Sequence, residues 1–364
     1  MTLAPEEPSP TTWGRARGNA EGASNEPGPC ARPDDPTLSP AWATWAAENL
    51  LRGVPRGEVT EALAAQGLSP TEATRALDEL ERSPAFVAAL PLAREARRGE
   101  MIRRLLTEHA ETVTCPGEIP RRSYAGADDF YARHYATLSP VVLTDLLRDW
   151  PALTTWTPSW LKSRFGEVEV DAVYGRARDP SPDLNTPSLT RAVRLGDFVD
   201  DVLAAGESND LYLVAQARNI ERDALHALWD DVRWDPALLD PARRAGAAAL
   251  WFGPGGTVTS MHHDTANILL CQVYGEKRVT LAAPWEPALE PLRRGVYADF
   301  DPESDAPPAA DVRLRRATIG PGDALFIPAG WWHHVRARSV SISLGLTNFT
   351  RDNLFNWFRP GEVR

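Results

Sequence analysis

A His-x-Asp step at the end of a candidate strand, Thr259-Ser260-Met261-His262-His263-Asp264, limits the folds open to this chain. A second histidine cluster answers it downstream, Trp331-Trp332-His333-His334. Residues i and i+2 of a strand face one side, so His262 and Asp264 project together while His263 points away. Two imidazoles and one carboxylate can fill one face of an octahedral metal and leave the other open, an arrangement that suits non-haem Fe(II) and its oxygen chemistry. The third ligand has to come from a strand laid alongside. Only His333 and His334 sit in a comparable strand-and-turn setting, and spacing alone does not choose between them.

The sequence around these clusters reads as short strands punctuated by Gly and Pro. Ile268 to Tyr274, then Gly275-Glu276, then Lys277 to Leu281 predicts a hairpin with a Gly-first tight turn. Gly320-Pro321-Gly322-Asp323 is a turn before a strand from Ala324 to Pro328, and Val340 to Leu346 closes the series. Upstream, Ser139 to Thr144, Val168 to Val173 and Leu211 to Ala215 are strand candidates. A capped helix is expected near Trp156 to Leu161, and another from Ile220 to Asp231. The expected fold is mainly β, a double-sheet jelly roll with flanking helices. No internal repeat is evident.

The N-terminal text differs. Residues 1 to about 39 are rich in Pro, Gly, Ser, Thr and Glu and read as a disordered tail. Residues 40–111 form a small helical module. It comprises Ala41 to Leu51 closed by Gly53, Gly57 to Gln66, a helix from Pro70 to Arg82 opened by a Ser69-Pro70-Thr71-Glu72 capping box, and Leu92 to Glu108. Residues 112–364 are then the β domain. The module holds no chemical cluster and suits dimerisation or a partner surface.

Composition narrows the function classes. A chain of 364 residues with 43% hydrophobic content can bury a large core. Its net charge of −11 disfavours nucleic acid as a partner. No apolar run is long enough for a bilayer, so no membrane partner is expected. The N-terminus lacks the pattern of a signal peptide. Cys30, Cys115 and Cys271 make neither a disulfide framework nor a paired zinc spacing. A cytoplasmic location is expected.

Taken together, Thr-x-x-His-x-Asp, Gln-x-x-Gly-x-Lys and Gly-Asp-x-x-x-Ile-Pro-x-x-Trp-Trp-His resemble the JmjC oxygenases. The residues are Thr259, His262, Asp264, Gln272, Gly275, Lys277, Gly322, Asp323, Ile327, Pro328, Trp331, Trp332 and His333. The resemblance runs from about Pro116 to Phe349 and is nearest to the cupin-like hydroxylase branch of the factor-inhibiting-HIF type and its bacterial relatives. It implies a double-stranded β-helix (cupin) and the metal set His262, Asp264 and His333, since the family's ligand directly follows Trp-Trp. It further implies Fe(II), 2-oxoglutarate as cosubstrate and O2. Lys277 matches the lysine that holds the distal carboxylate of 2-oxoglutarate, and Thr259 the hydroxyl beside it. Tyr212 and Asn348 resemble the family's upstream tyrosine and C-terminal asparagine.

One departure stands out. The branch often has Asn six residues after the first ligand, where this chain has Ile268, with Asn267 one position earlier. The implied reaction is hydroxylation of a side chain in a protein or peptide. Demethylation, a tRNA or small-metabolite substrate, and a non-catalytic cupin that only binds are the competing readings. A homodimer would use the N-terminal helices, because the segment after Phe349 is short.

Overall fold

The structure, a computed structural model, describes residues 38–113, 117–304 and 311–355. Apart from Leu38 and Ser39, the segment read as a disordered tail lies outside the described residues. The chain divides into two compact units, Met1–His109 and Ala110–Arg364. Among the described residues no helix is long and apolar enough to cross a membrane.

In the first unit, local signals set the helix ends. Pro40–Arg52 begins where the Ser39 side chain accepts from Trp42 N and stops at Gly53, whose φ of 96° no helix continues. Arg56–Ala65 follows, and Pro70–Arg82 opens on the reciprocal Ser69/Glu72 capping box. Trp42, Ala46, Val59, Leu63, Ala73 and Leu77 fill a small core among them. The last helix, Pro84–Val113, starts eight residues earlier than the sequence suggested. It runs through Pro91, whose missing donor leaves the carbonyl of Val87 free, and Val87 is on an exposed face open to solvent.

The second unit is mainly β. One sheet has the lateral order Gly117–Glu118, Leu314–Ile319, Lys277–Ala282, Trp332–Ala337, Val258–His262, Tyr297–Ala298 and Arg293–Arg294. The other has Arg121–Arg122, Val141–Leu143, Ala324–Ile327, Ile268–Tyr274, Ser341–Leu346 and Ala248–Gly253. Gly117–Glu118 runs parallel to Leu314–Ile319 and Arg121–Arg122 parallel to Val141–Leu143, and the other pairings in the two sheets are antiparallel. Val142, Leu270, Val279, Leu281, Leu325 and Val335 close the space between the sheets, giving the cupin jelly roll. Phe130, Trp156, Phe198, Phe252, Phe326 and Phe349 belong to the larger core on the other side of the six-stranded sheet. Ser341–Leu346 is therefore buried on both faces and reads as a continuous run rather than an alternation. A three-stranded sheet, Thr190–Arg194, Glu169–Tyr174 and Leu211–Tyr212, flanks the roll.

Several local expectations are corrected. Ile268–Tyr274 and Lys277–Ala282 follow one another but do not pair; they lie in opposite sheets. Gly275 turns the chain from one sheet to the other at φ 69°, so close to the Val340 carbonyl that a Cβ would stand 1.9 Å from it. The Ile220 to Asp231 segment is two 3-10 stretches, Asn219–Glu221 and Asp223–Asp231, rather than one α-helix. The strand from Leu211 ends at Tyr212, and Ala215–Ala217 is already a 3-10 turn. Leu314–Ile319 went unrecognised because only Ile319 is fully buried and paired arginines interrupt its apolar pattern.

Candidate metal centre

The end of Val258–His262 lies against the start of Trp332–Ala337, with His262 opposite His333. Between this pair and the next, Thr259 opposite Val335, one strand advances three residues while its partner advances two. This bulge lets Thr259 and His262, an odd number of positions apart, both face the interior. The imidazoles of His262 and His333 lie 4.0 Å apart between centroids. Asp264 Oδ2 is 3.4 Å from His333 Nε2 and 4.0 Å from His262 Nε2. One donor atom from each of the three residues falls within 4.8 Å of the others.

Each ring is oriented from behind. His262 Nδ1–H donates to the Ser260 carbonyl at 2.8 Å, and His333 Nδ1–H donates to the Trp331 carbonyl at 2.9 Å. Both bonds fix the tautomer and leave Nε2 as a free lone pair aimed at Asp264. Burial, followed by the nearby His333, pushes the pKa of His262 down to about 4, so its ring is neutral at pH 7. Desolvation works against the charge on Asp264, yet the adjacent His333 and His262 hold its carboxyl at about 2. Two imidazoles and one carboxylate fit a divalent ion of the Fe(II) class. The other two histidines point elsewhere. His263 stands edge-on to Trp332 at 4.7 Å, and His334 lies opposite Thr280 on the far face of its strand.

Beside the triad opens a cavity of about 420 Å³, with Asp183, Trp251, Thr259, His262, Asp264 and Tyr297 in its wall. Tyr297 stacks on His262 at 5.7 Å with an interplanar angle of 28°. Lys277 is 1% exposed; its Nζ donates to the Tyr212 hydroxyl at 3.2 Å and sits over the rings of Tyr212 and Trp251. Burial pushes its pKa down to about 7. Thr259 and Thr257 both interact with the Tyr212 hydroxyl, whose pKa burial raises. Lys277, Tyr212 and Thr259 therefore form one cluster, joined to the cavity through Thr259 and Trp251.

Asn348 is not part of that cluster. Its amide donates to the Asp240 carbonyl at 2.8 Å, and the neighbouring Thr347 lines the cavity in its place. Asn267 is also committed elsewhere. Its Oδ1 accepts from Ala329 N at 2.8 Å and its Nδ2 donates to Asn353 Oδ1 at 2.9 Å, stapling the Trp331 turn to the C-terminal segment. Sequence reasoning missed Asp183, Trp251 and Tyr297, which reach the cavity from a proline-flanked loop, a neighbouring strand and a two-residue strand. None of the three lies in a spacing that pointed to the site.

Comparison with known proteins agrees with this geometry. Residues 127–350 match the model of the cupin-like domain. Over 255 residues the chain is 29% identical to Jumonji C domain-containing protein 5 of Drosophila melanogaster, covering 64% of this chain and 60% of that protein. It is 23% identical over 236 residues to Lysine-specific demethylase 8 of Xenopus tropicalis, covering 62% and 52%. It is 26% identical over 251 residues to the bifunctional peptidase and (3S)-lysyl hydroxylase JMJD7 of Homo sapiens, covering 59% and 78%. The chain spans about half to three fifths of the length of the first of these relatives. With the cupin-like model matching more than half of the sequence, on a jelly roll that gathers two histidines and an aspartate at one end, the chain belongs to the cupin-like (JmjC) domain family.

Proposed function

We propose that this protein is an Fe(II)- and 2-oxoglutarate-dependent oxygenase that hydroxylates a basic side chain of a protein or peptide, as a member of the hydroxylase branch of factor-inhibiting-HIF type. The observation that carries the reading is the convergence of His262, Asp264 and His333 beside a cavity that His262 and Asp264 line, with a buried lysine nearby that has no carboxylate partner among the described residues. In this reading His262, Asp264 and His333 hold the metal. Lys277, with Tyr212 and Thr259, receives the distal carboxylate of 2-oxoglutarate, and Asn348 acts only by positioning the chain beside Thr347. Bound Fe(II) and 2-oxoglutarate together supply O2 activation with release of succinate and CO2.

The protein's own part is orientation and exclusion of water. Ser260 and Trp331 carbonyls keep the proton on Nδ1 of each histidine, so Nε2 stays available. A lone ammonium in the dry barrel is costly, and a carboxylate ligand relieves that cost, which favours a dicarboxylate over a neutral molecule of the same size. Asp183, Glu221 and Asp264 line the cavity, the first two ion-paired with Arg176 and Arg218. The choice of a basic side chain rests on the similar proteins, two of which bear lysine or lysyl in their names.

The test is anaerobic titration of Fe(II) and 2-oxoglutarate, watching for the weak visible charge-transfer band of the ternary complex. The band should appear with the wild type and vanish in His262→Ala. Folded protein that binds iron without giving the band would overturn the reading. Mass spectrometry of basic peptides then separates the chemistries, since hydroxylation adds one oxygen whereas demethylation removes a methyl group.

A further inference from the structure

The Val258–His262 strand bears Thr259 and His262, yet it has a strand neighbour along only one side of its length. Trp332–Ala337 covers that side, whereas Tyr297–Ala298 reaches the other only at His262. The remaining backbone groups on the uncovered edge are nonetheless all bonded, and by side chains. Val258 N donates to Asn209 Oδ1 at 2.8 Å, and Arg176 Nη2 donates to the Val258 carbonyl at 2.7 Å. Ser260 N donates to Asp183 Oδ2 at 2.9 Å, and His262 Nδ1–H donates to the Ser260 carbonyl. Arg176 and Asp183 are themselves paired at 3.0 Å, and the Arg176 side chain is fully buried. Three chain segments thus imitate a missing strand.

A buried ion pair is an expensive way to close a sheet edge. Replacing such a pair by apolar residues is often neutral or stabilising, so stability alone does not explain it. What the pair does uniquely here is hold Ser260 at its N–H while the carbonyl of the same residue, one Cα further on, orients His262. We infer that Arg176 and Asp183 are positioning residues for the metal ligand His262, acting through the backbone of Ser260 as a side-chain surrogate for a neighbouring strand. The inference rests on the metal-binding reading of His262. Groups hydrogen-bonded directly to a ligand change metal affinity by about 10- to 100-fold when lost, and Asp183 acts one residue further back, so the lower end of that range is expected.

Two charge-free double variants isolate the effect, read by Co(II) titration of the full chain. Arg176→Met with Asp183→Asn keeps an acceptor for Ser260 N, whereas Arg176→Met with Asp183→Leu removes it. The leucine pair should bind Co(II) about ten-fold more weakly than the asparagine pair, with an altered d–d absorption and a similar melting temperature. Equal affinities and identical spectra would overturn the inference while leaving metal binding intact. If the leucine pair does not fold, Arg176→Met with Asp183→Ala, which removes the acceptor of Ser260 N with a smaller side chain, replaces it; a several-fold loss of affinity relative to the asparagine pair is expected and an equal titration overturns the inference. A wild type that binds no Co(II), or a His262→Ala variant that binds it as well, would instead sink the metal reading itself.

Discussion

Lys277 and Tyr212 meet inside the jelly roll, the ammonium donating to the phenolic oxygen at 3.2 Å with almost no access to solvent. A pH dependence follows from burial. The folded pKa of Lys277 is pushed from 10.5 to about 7. Between those values the unfolded chain binds more protons, so the ligand-free fold gains stability as pH rises through that window and bears the full cost below it. A bound carboxylate reverses the local preference. Binding of 2-oxoglutarate should therefore take up a proton and weaken as pH rises above about 7. Calorimetry in buffers of different ionisation heat measures both effects, and an affinity that is flat from about pH 6.5 to 8.5 would remove Lys277 from the cosubstrate site.

Replacing the same lysine separates stability from binding. Lys277→Met removes an unpaired buried charge, so the ligand-free variant should melt no lower than the wild type at pH 6. Its affinity for 2-oxoglutarate should fall by about 10- to 100-fold, the worth of a charge-assisted hydrogen bond. Fluorescence-monitored melting and ligand titration together decide the matter.

The adjacent histidines His333 and His334 should behave oppositely. His333→Ala is expected to lose metal binding. His334→Ala should keep the wild-type metal stoichiometry, because its ring lies on the far side of the strand near Asp301. Metal content after anaerobic reconstitution distinguishes them. Asp264→Ala should abolish turnover, and a normal rate of substrate-dependent 2-oxoglutarate consumption by that variant would refute the assignment.

Asn267→Ala should act on the fold rather than on the metal. It leaves the half-buried Ala329 N without its acceptor, at about 1–3 kcal/mol, while Asn353 keeps its bonds to the backbone of residues 267 and 347. Urea denaturation reads that loss, while Co(II) affinity stays within a few-fold of wild type.

Gly275→Ala tests the corner between the sheets. A methyl group there collides with the Val340 carbonyl and forces a positive φ on alanine. The combined cost is about 2–5 kcal/mol. A variant as stable as wild type in chemical denaturation would contradict the close approach.

Much of this was legible in the sequence wherever the cause is local. Gly53 and the Ser69/Glu72 box mark helix ends, since caps depend on a few adjacent residues. Strand periodicity pointed to His262 and Asp264 together, although the strand ends at His262 and Asp264 lies just beyond it, and Lys277, Tyr212 and Thr259 stand close to one another. The partner of Ile268–Tyr274 was not legible, because the same Gly-containing turn serves a hairpin or a change of sheet, and only the distant Val340 decides between them. Arg176 and Asp183 were equally hidden. They reach the edge of the Val258–His262 strand from loops about eighty positions upstream, and no periodic pattern links residues that far apart.

The bulge between Thr259 and His262 bears on how freely this motif can change length. In an unbroken ladder a spacing of three puts two side chains on opposite faces. Here the extra residue shifts the phase by one, so the odd spacing works only with the irregularity. Deleting Ser260 or Met261 would restore regular pairing but shorten the segment to an even step, taking with it the peptide that orients His262 or a fully buried core side chain. An insertion would send Thr259 out of step with the histidine. An insertion is thus opposed by the phase of the ladder and a deletion by the loss of the Ser260 carbonyl or that core side chain, whereas the segments that supply Asp183 and Tyr297 face no such counting rule and can vary in length without disturbing the triad's spacing.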